Sequence, residues 1–170
     1  MQKISLTKID LCLFNLINGY AKKSRLLDFF GIFCAQYLGY FLLIWLLIFG
    51  YNYGLWQYVF TPLIAGLTSL AFNELVYLFY KRKRPMELLK NSILIDKPFS
   101  PAFPSSHTSF FVALSLTLFL FNIPLAIIFL ALSFCISFFR VFCAVHWPSD
   151  ILGGLISAII AFLVIYFTGL

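Results

Sequence analysis

The sequence predicts an all-α fold, a polytopic membrane helical bundle of about five to six helices, on three observations. The 170 residues are 62% hydrophobic and only 11% charged, whereas an ordinary soluble domain is about 25% charged. The apolar residues gather into charge-poor runs of the length that crosses a hydrocarbon core about 30 Å thick, roughly 20 helical residues. Short polar or proline-bearing breaks separate those runs. Twelve basic and six acidic side chains are too few to coat a globule of this size, so lipid is the solvent for most of the surface. A soluble fold is excluded, and residues 1–170 read as one integral membrane domain.

Each element follows from where charge falls. Residues 4–21 are long enough to cross, but they carry Lys8 and Asp10, each costing up to about 3 kcal/mol at the bilayer centre. Residues 1–25 are therefore expected to form an interfacial or tilted helix, and no small-residue cleavage site marks them as a removable signal. Residues 26–50 hold only Asp28 and residues 56–80 only Glu74, which makes both clear spans. Residues 105–121, 124–142 and 151–169 are three further spans. Between the second and third lies the only long polar stretch, 81–104, with four of the seven prolines; as the exposed connection it is the expected active-site loop.

Following the spans back and forth puts residues 22–25, 81–104 and 140–150 on one membrane face. All twelve Lys and Arg can lie on or near it, while the opposite turns, 51–55 and 121–124, carry no charge. The net charge of +6 does not indicate nucleic acid, because the basic residues are confined to a few short stretches instead of a solvated surface. They fit polyanion binding at one site. Cys12, Cys34, Cys135 and Cys143 sit singly in apolar runs without C-x-x-C pairing; they read as packing residues, and neither a metal site nor a disulfide framework is expected.

Four pieces converge on the charged face: Arg84-Pro85, Pro104-Ser105-Ser106-His107, Arg140, and His146 with Asp150. Ser105, Ser106 and His107 open a helix, where unpaired amides and the positive dipole end attract an anion. Arg84 and Arg140 are forked cations that grip phosphate oxygens. Asp150 stands four residues after His146, the spacing at which two side chains meet on one helical face. The expectation is a carboxylate that fixes the imidazole tautomer, so that His146 attacks phosphorus to give a phosphohistidine. His107 is left as general acid, then as base for the hydrolytic water. No metal or other cofactor is called for.

These residues resemble the three signature motifs of the type-2 phosphatidic acid phosphatase superfamily of membrane lipid phosphatases: Arg84-Pro85, the P-S-S-H of 104–107, and the R-x5-H-x3-D of Arg140, His146 and Asp150. The stretch LFNLINGYAKKSRLLDFFGIFCAQYLGYFLL is similar to the start of bacterial undecaprenyl-pyrophosphate phosphatases of the BcrC type. The resemblance implies a fold of the phosphatidic acid phosphatase type-2/haloperoxidase-like kind and a lipid phosphate or pyrophosphate substrate, undecaprenyl pyrophosphate first. Phosphatidate, phosphatidylglycerophosphate and a lipid A phosphate remain as alternatives, and a non-catalytic lipid-phosphate binder or transporter as a different class. Vanadate, as a mimic of five-coordinate phosphorus, is an expected inhibitor.

The match has three departures. The family lysine seven residues before Arg84 is Tyr77, and Lys81 is the candidate replacement on a helix continued to Arg84. Ser106 stands where glycine is common, and Phe139 where a serine often precedes the arginine. Other residues have plainer readings: Lys81–Lys83 as a surface anchor, Glu74 and Asn73 as structural hydrogen-bonding groups, Asp150 also as a helix cap, the phenylalanines as lipid-facing bulk, and Trp56 and Trp147 as an interfacial belt. The charge bias puts the active face in the cytoplasm, whereas the resemblance puts it outside; the resemblance is followed. Nothing in the sequence speaks to oligomeric state.

Overall fold

A computed structural model of the chain describes residues 8–89, 93–95 and 101–169. Residues 4–7 of the expected N-terminal helix, and 90–92 and 96–100 of the expected loop, lie outside the described residues. The elements in order are α1 (Lys8–Asn18), α2 (Arg25–Ile32), a π-helical turn (Phe33–Tyr37), α3 (Leu38–Tyr53), α4 (Gln57–Phe79), the short α5 (Pro85–Leu88), α6 (Ser106–Leu118), α7 (Ile123–Phe142) and α8 (Pro148–Thr168). The described residues are all-helical apart from turns and extended connections. α2, the π turn and α3 form one rod, Arg25–Tyr53.

Among the described residues four helices are long and apolar enough to cross a membrane: Arg25–Tyr53, α4, α7 and α8. The expected third span is shorter than the charge pattern suggested. α6 has 13 residues, about 20 Å of helix, and it packs at the centre against α4, α7 and α8. Enclosed by protein, it does not have to match the bilayer itself. The described part of α1 has 11 residues and lies against α7 and α8.

Helix ends follow local chemistry. Asn122 caps α7 by accepting the Leu125 amide at 2.9 Å, Pro85 and Pro148 occupy first-turn positions of α5 and α8, and Gly54, at φ 65°, ends α3 in the left-handed conformation that glycine adopts without a Cβ penalty.

Packing around α6 uses the devices open to helices in lipid, small residues and hydroxyl pairs. Thr108 meets Ser137 of α7 at 3.0 Å, Ser115 meets Ser133 at 3.0 Å, and Asn73 of α4 donates to Ser109 at 2.8 Å. Leu42, Leu46, Val59, Phe111, Leu114 and Phe129 form an apolar core on the side away from the charged face. Rows of exposed Phe, Leu and Ile on the outer faces, Phe29, Phe79, Leu152 and Phe167 among them, are what lipid contact requires. Phe14, Phe129 and Phe142 are instead buried, so the phenylalanines also fill the interior.

A Cβ added at Gly154 would lie 2.8 Å from the Ser105 carbonyl oxygen and 2.8 Å from Thr108 Cβ, both fixed by helix α6. Helix propensity favours Gly154→Ala by about 1 kcal/mol, but overpacking against backbone costs about 1–3 kcal/mol. The expected outcome is a lower melting temperature in detergent for Gly154→Ala; an unchanged or raised one contradicts this packing.

Candidate active site

After α4 ends at Phe79 the chain runs extended: Tyr80 has φ −133° and ψ 100°, and Arg84 has φ −77° and ψ 157°, as a residue preceding proline prefers. Side chains alternate along such a segment, so Lys81 and Lys83 are exposed while Arg82 and Arg84 are buried. The expectation for Lys81 assumed a continuing helix and is corrected: Lys81 points away. Arg84, 2% exposed, spans the Val145 carbonyl at 3.0 Å, the Pro101 carbonyl at 3.1 Å and His146 Nε2 at 3.1 Å.

The R-x5-H spacing has a backbone cause. α7 closes in a Schellman turn: the Val145 amide donates to the Arg140 carbonyl at 3.0 Å, the Ala144 amide to Val141 at 3.0 Å, and Ala144 adopts φ 63°. That conformation costs a non-glycine residue about 1–2 kcal/mol. The His146 amide also reaches the Arg140 carbonyl, at 3.3 Å, so the arginine's own main chain positions the histidine. Met86 holds the turn from α5 by donating to the Ala144 carbonyl at 3.1 Å.

His146, 2% exposed, puts Nδ1 2.8 Å from the Ala102 carbonyl and 3.5 Å from Asp150 Oδ2. A carbonyl only accepts, so Nδ1 carries the proton and Nε2 the lone pair. This corrects the expected pairing: Ala102 is the hydrogen-bond partner that sets the tautomer, and Asp150 stands just behind it. The reason is that α8 begins only at Pro148, so His146 precedes the helix and the i,i+4 geometry does not apply. Asp150 is the capping carboxylate of α8, accepting the Trp147 amide at 2.8 Å. Burial first, then Arg140, Arg84 and His107, hold the His146 imidazole well below its ordinary pKa, which also places all four groups within electrostatic reach of one another.

The opening of α6 faces this ring. The Ser105 amide is not available to an anion, because it donates to the Asp150 carbonyl at 3.0 Å; that part of the expected cradle is corrected. Ser106 and His107 lie upstream of the first intrahelical bond, from Ser109 to Ser105, so their amides keep the anion-facing role. His107 is half-buried beside Phe111, their ring centroids 6.4 Å apart. Tyr77, in the place of the family lysine, donates its hydroxyl to the Pro104 carbonyl at 2.7 Å and meets Ser106 Oγ at 2.8 Å. It therefore tethers the P-S-S-H turn. Arg140 reaches the Ala35 carbonyl at 3.2 Å, inside the π-helical turn; such turns often sit at functional sites.

Two expectations for neighbouring residues change. Glu74 is exposed on α4 and makes no structural hydrogen bond among the described residues, whereas Asn73 does. Trp147 is fully buried, its Nε1 donating to the Lys83 carbonyl at 3.0 Å, so it belongs to the site wall and not to an interfacial belt; Trp56 is exposed as a belt residue would be. The residues missed by sequence reasoning are Arg82, Asp10, Ser149 and Ala102. The available signal was the extended conformation forced before Pro85, which turns Arg82 to the same side as Arg84, together with an aspartate in an apolar helix that needs a cationic partner.

The assembly offers a fixed imidazole lone pair, two arginines, two first-turn amides and a second histidine, which suffice to bind a phosphoryl group and attack it in line. Among the described residues no cluster of three or more His, Cys, Asp or Glu stands ready to hold a metal ion.

Comparison with known proteins gives the family. Residues 54–169 match the PAP2 superfamily. The chain is 30% identical over 153 residues to the undecaprenyl-diphosphatase BcrC of Bacillus subtilis strain 168, covering 87% of this chain and 78% of that one. It is 24% identical over 168 residues to the bacitracin transport permease protein BcrC of Bacillus licheniformis, covering 97% of this chain and 83% of the other. The crystal structure of Aquifex aeolicus LpxE superposes with a TM-score of 0.72 at 25% identity, over 96% of this chain and 98% of that one.

Tyr77→Phe strips the buried Pro104 carbonyl of its donor, a loss worth about 1–3 kcal/mol. The variant is expected to melt at a lower temperature in detergent, with a fall in phosphate release as the P-S-S-H turn loosens; wild-type values for both contradict the tether.

Proposed function

Since the chain belongs to the PAP2 superfamily, and is on that ground a membrane lipid phosphatase, we propose that it removes the terminal phosphate of undecaprenyl pyrophosphate, without a metal, through a phosphohistidine on His146. The 30% identity to a protein named undecaprenyl-diphosphatase supports that substrate over phosphatidate, phosphatidylglycerophosphate or a lipid A phosphate. The observation that carries the mechanism is the orientation of His146: Nδ1 donates to Ala102 at 2.8 Å, and Nε2 meets Arg84 at 3.1 Å, where a phosphate oxygen would dock. A binder or transporter, the class named for the Bacillus licheniformis relative, needs arginines; it does not need a buried imidazole of fixed tautomer with a carboxylate behind it.

In the proposed reaction Nε2 forms a bond to phosphorus as the bond to the leaving oxygen breaks, and His107 gives that oxygen its proton. The ring becomes a phosphoimidazolium, whose charge Asp150, 3.5 Å from Nδ1, offsets. Arg84, Arg140 and the amides of Ser106 and His107 hold the three equatorial oxygens. His107 then takes a proton from water, which attacks phosphorus, releases inorganic phosphate and restores His146. The active face is assigned to the extracytoplasmic side, as the family resemblance implies. Three arginines behind the opposing charge bias, Arg82, Arg84 and Arg140, are buried in the site instead of deployed at the surface.

The test is phosphate release from a panel of lipid phosphates in detergent with EDTA, wild type against His146→Ala. Release from undecaprenyl pyrophosphate is expected to survive the chelator, to be inhibited by vanadate, and to fall by about 10⁴-fold or more in the variant. Equal release by both proteins rejects the nucleophile; no release from any lipid by folded wild type favours the binder.

A pH profile of kcat/KM gives a second check. Burial, followed by Arg140, Arg84 and His107, disfavours the imidazolium of His146, and the neutral ring is the nucleophile. On the acid side, activity is therefore lost only when pH falls through the lowered pKa of His146, so the acid limb is expected below about 6.5, the ordinary histidine value. An acid limb at or above that value contradicts the assignment.

A further inference from the structure

Two acceptors face the Nδ1–H of His146, the Ala102 carbonyl and the Asp150 carboxylate, and one residue holds both. Arg82, 8% exposed, donates through Nη1 to Asp150 Oδ1 at 2.6 Å and to Ser149 Oγ at 2.6 Å. Its main-chain carbonyl accepts the Ala102 amide at 3.0 Å. Its other arm, Nη2, donates to Asp10 Oδ2 of α1 at 2.6 Å. Asp10 in turn accepts the Ser149 amide at 2.9 Å and the Ser149 hydroxyl at 2.5 Å, and is itself 3% exposed. Burial opposes the charge on Arg82, but Asp150 and Asp10 outweigh it and raise its pKa; the guanidinium stays ionised at any working pH.

We propose that Arg82 is the positioning residue of the nucleophile, and that Asp10 makes the N-terminal helix a structural part of the active site. Arg82 touches neither the reacting atoms nor the phosphate oxygens in the arrangement described. It aims Asp150 at Nδ1, and its backbone fixes the carbonyl that sets the tautomer. Only a forked cation reaches two carboxylates on different helices at once, so lysine is not equivalent here. Asp10 supplies the second carboxylate: with it the trio carries one net negative charge beside His146, and without it the trio is neutral. That negative charge is what the phosphoimidazolium needs when Nε2 bonds to phosphorus.

The inference rests on the phosphohistidine reading, and the experiment separates the two. Wild type, His146→Ala, Arg82→Gln, Arg82→Lys, Asp10→Asn, Asp150→Asn and the double variant Arg82→Gln/Asp150→Asn are purified in detergent and checked for folding by melting. Each is assayed with farnesyl diphosphate micelles in EDTA for kcat, KM and acid-quenched phosphoprotein. Arg82→Gln and Arg82→Lys are expected to lower kcat and the rate of phosphoprotein formation by roughly 10–100-fold, with KM moved by less than about threefold. Asp10→Asn is expected to do the same by about tenfold, and it carries the test if Arg82→Gln does not fold.

Because Arg82 acts through Asp150, the double variant is expected to be no more than about twofold slower than Asp150→Asn alone. Losses that multiply in the double variant indicate general destabilisation and overturn the proposal. A raised KM with unchanged kcat assigns Arg82 to phosphate binding and overturns it too, as do folded Arg82→Gln and Asp10→Asn proteins with wild-type kcat. A wild type whose turnover does not depend on His146 rejects the phosphohistidine reading, and this inference falls with it.

Discussion

A carbonyl oxygen has no proton to give, so the 2.8 Å contact between Ala102 and His146 Nδ1 leaves the imidazole a single arrangement, with its lone pair on Nε2. Much of the charged face is organised around keeping that contact. Ala102 is held by the Arg82 backbone, and the His146 backbone by the Arg140 carbonyl through the left-handed turn at Ala144. The opening of α6 is tied to α8 by the Ser105 amide and to α4 by the Tyr77 hydroxyl. Bonds that end on backbone atoms therefore do much of the alignment.

The charges are arranged around the same ring in two sets. Arg82 is balanced by Asp10 and Asp150, a buried group that is costly to break because removing one partner strands the others in a low dielectric. Arg84 reaches the carbonyls of Val145 and Pro101 and the Nε2 of His146, and Arg140 reaches the carbonyl of Ala35; burial holds the Arg84 pKa below its ordinary value. Carbonyl dipoles orient these guanidiniums toward the side of His146 at which the proposed phosphoryl group would arrive. In the proposed reaction, binding and transition-state stabilisation draw on the same two side chains.

The spans and the principal motifs were legible in the sequence because each rests on local information: charge-free runs mark lipid contact, and Arg84, His107, Arg140 and His146 are chemically conspicuous. What escaped depended on backbone conformation or on partners distant in sequence. Lys81 was favoured over Arg82 because a helix was extended through 81–84, where Pro85 imposes an extended strand-like path and turns the alternate residues inward. Asp150 was given the hydrogen bond that Ala102 makes, because a carbonyl is invisible to residue-type reasoning. Asp10 read as a cost to a membrane helix, since its partner lies 72 positions away. The length of α6 was overestimated because residues 119–121 are apolar although they form a turn.

The shortness of α6 has a consequence for where chemistry happens relative to the bilayer. The phosphate-binding end of that 13-residue helix stands level with Arg140 and Ala35, which are themselves bonded. The rod that begins at Arg25 rises ten residues beyond Ala35, about 15 Å of helix. A phosphoryl group bound there would sit about three helical turns below the outer end of that rod. A lipid substrate would reach the site by bringing its charged end down past that rim. That distance is fixed by the protein while the headgroup plane is fixed by the surrounding lipids, so leaflet thickness would set how far the charged end has to travel.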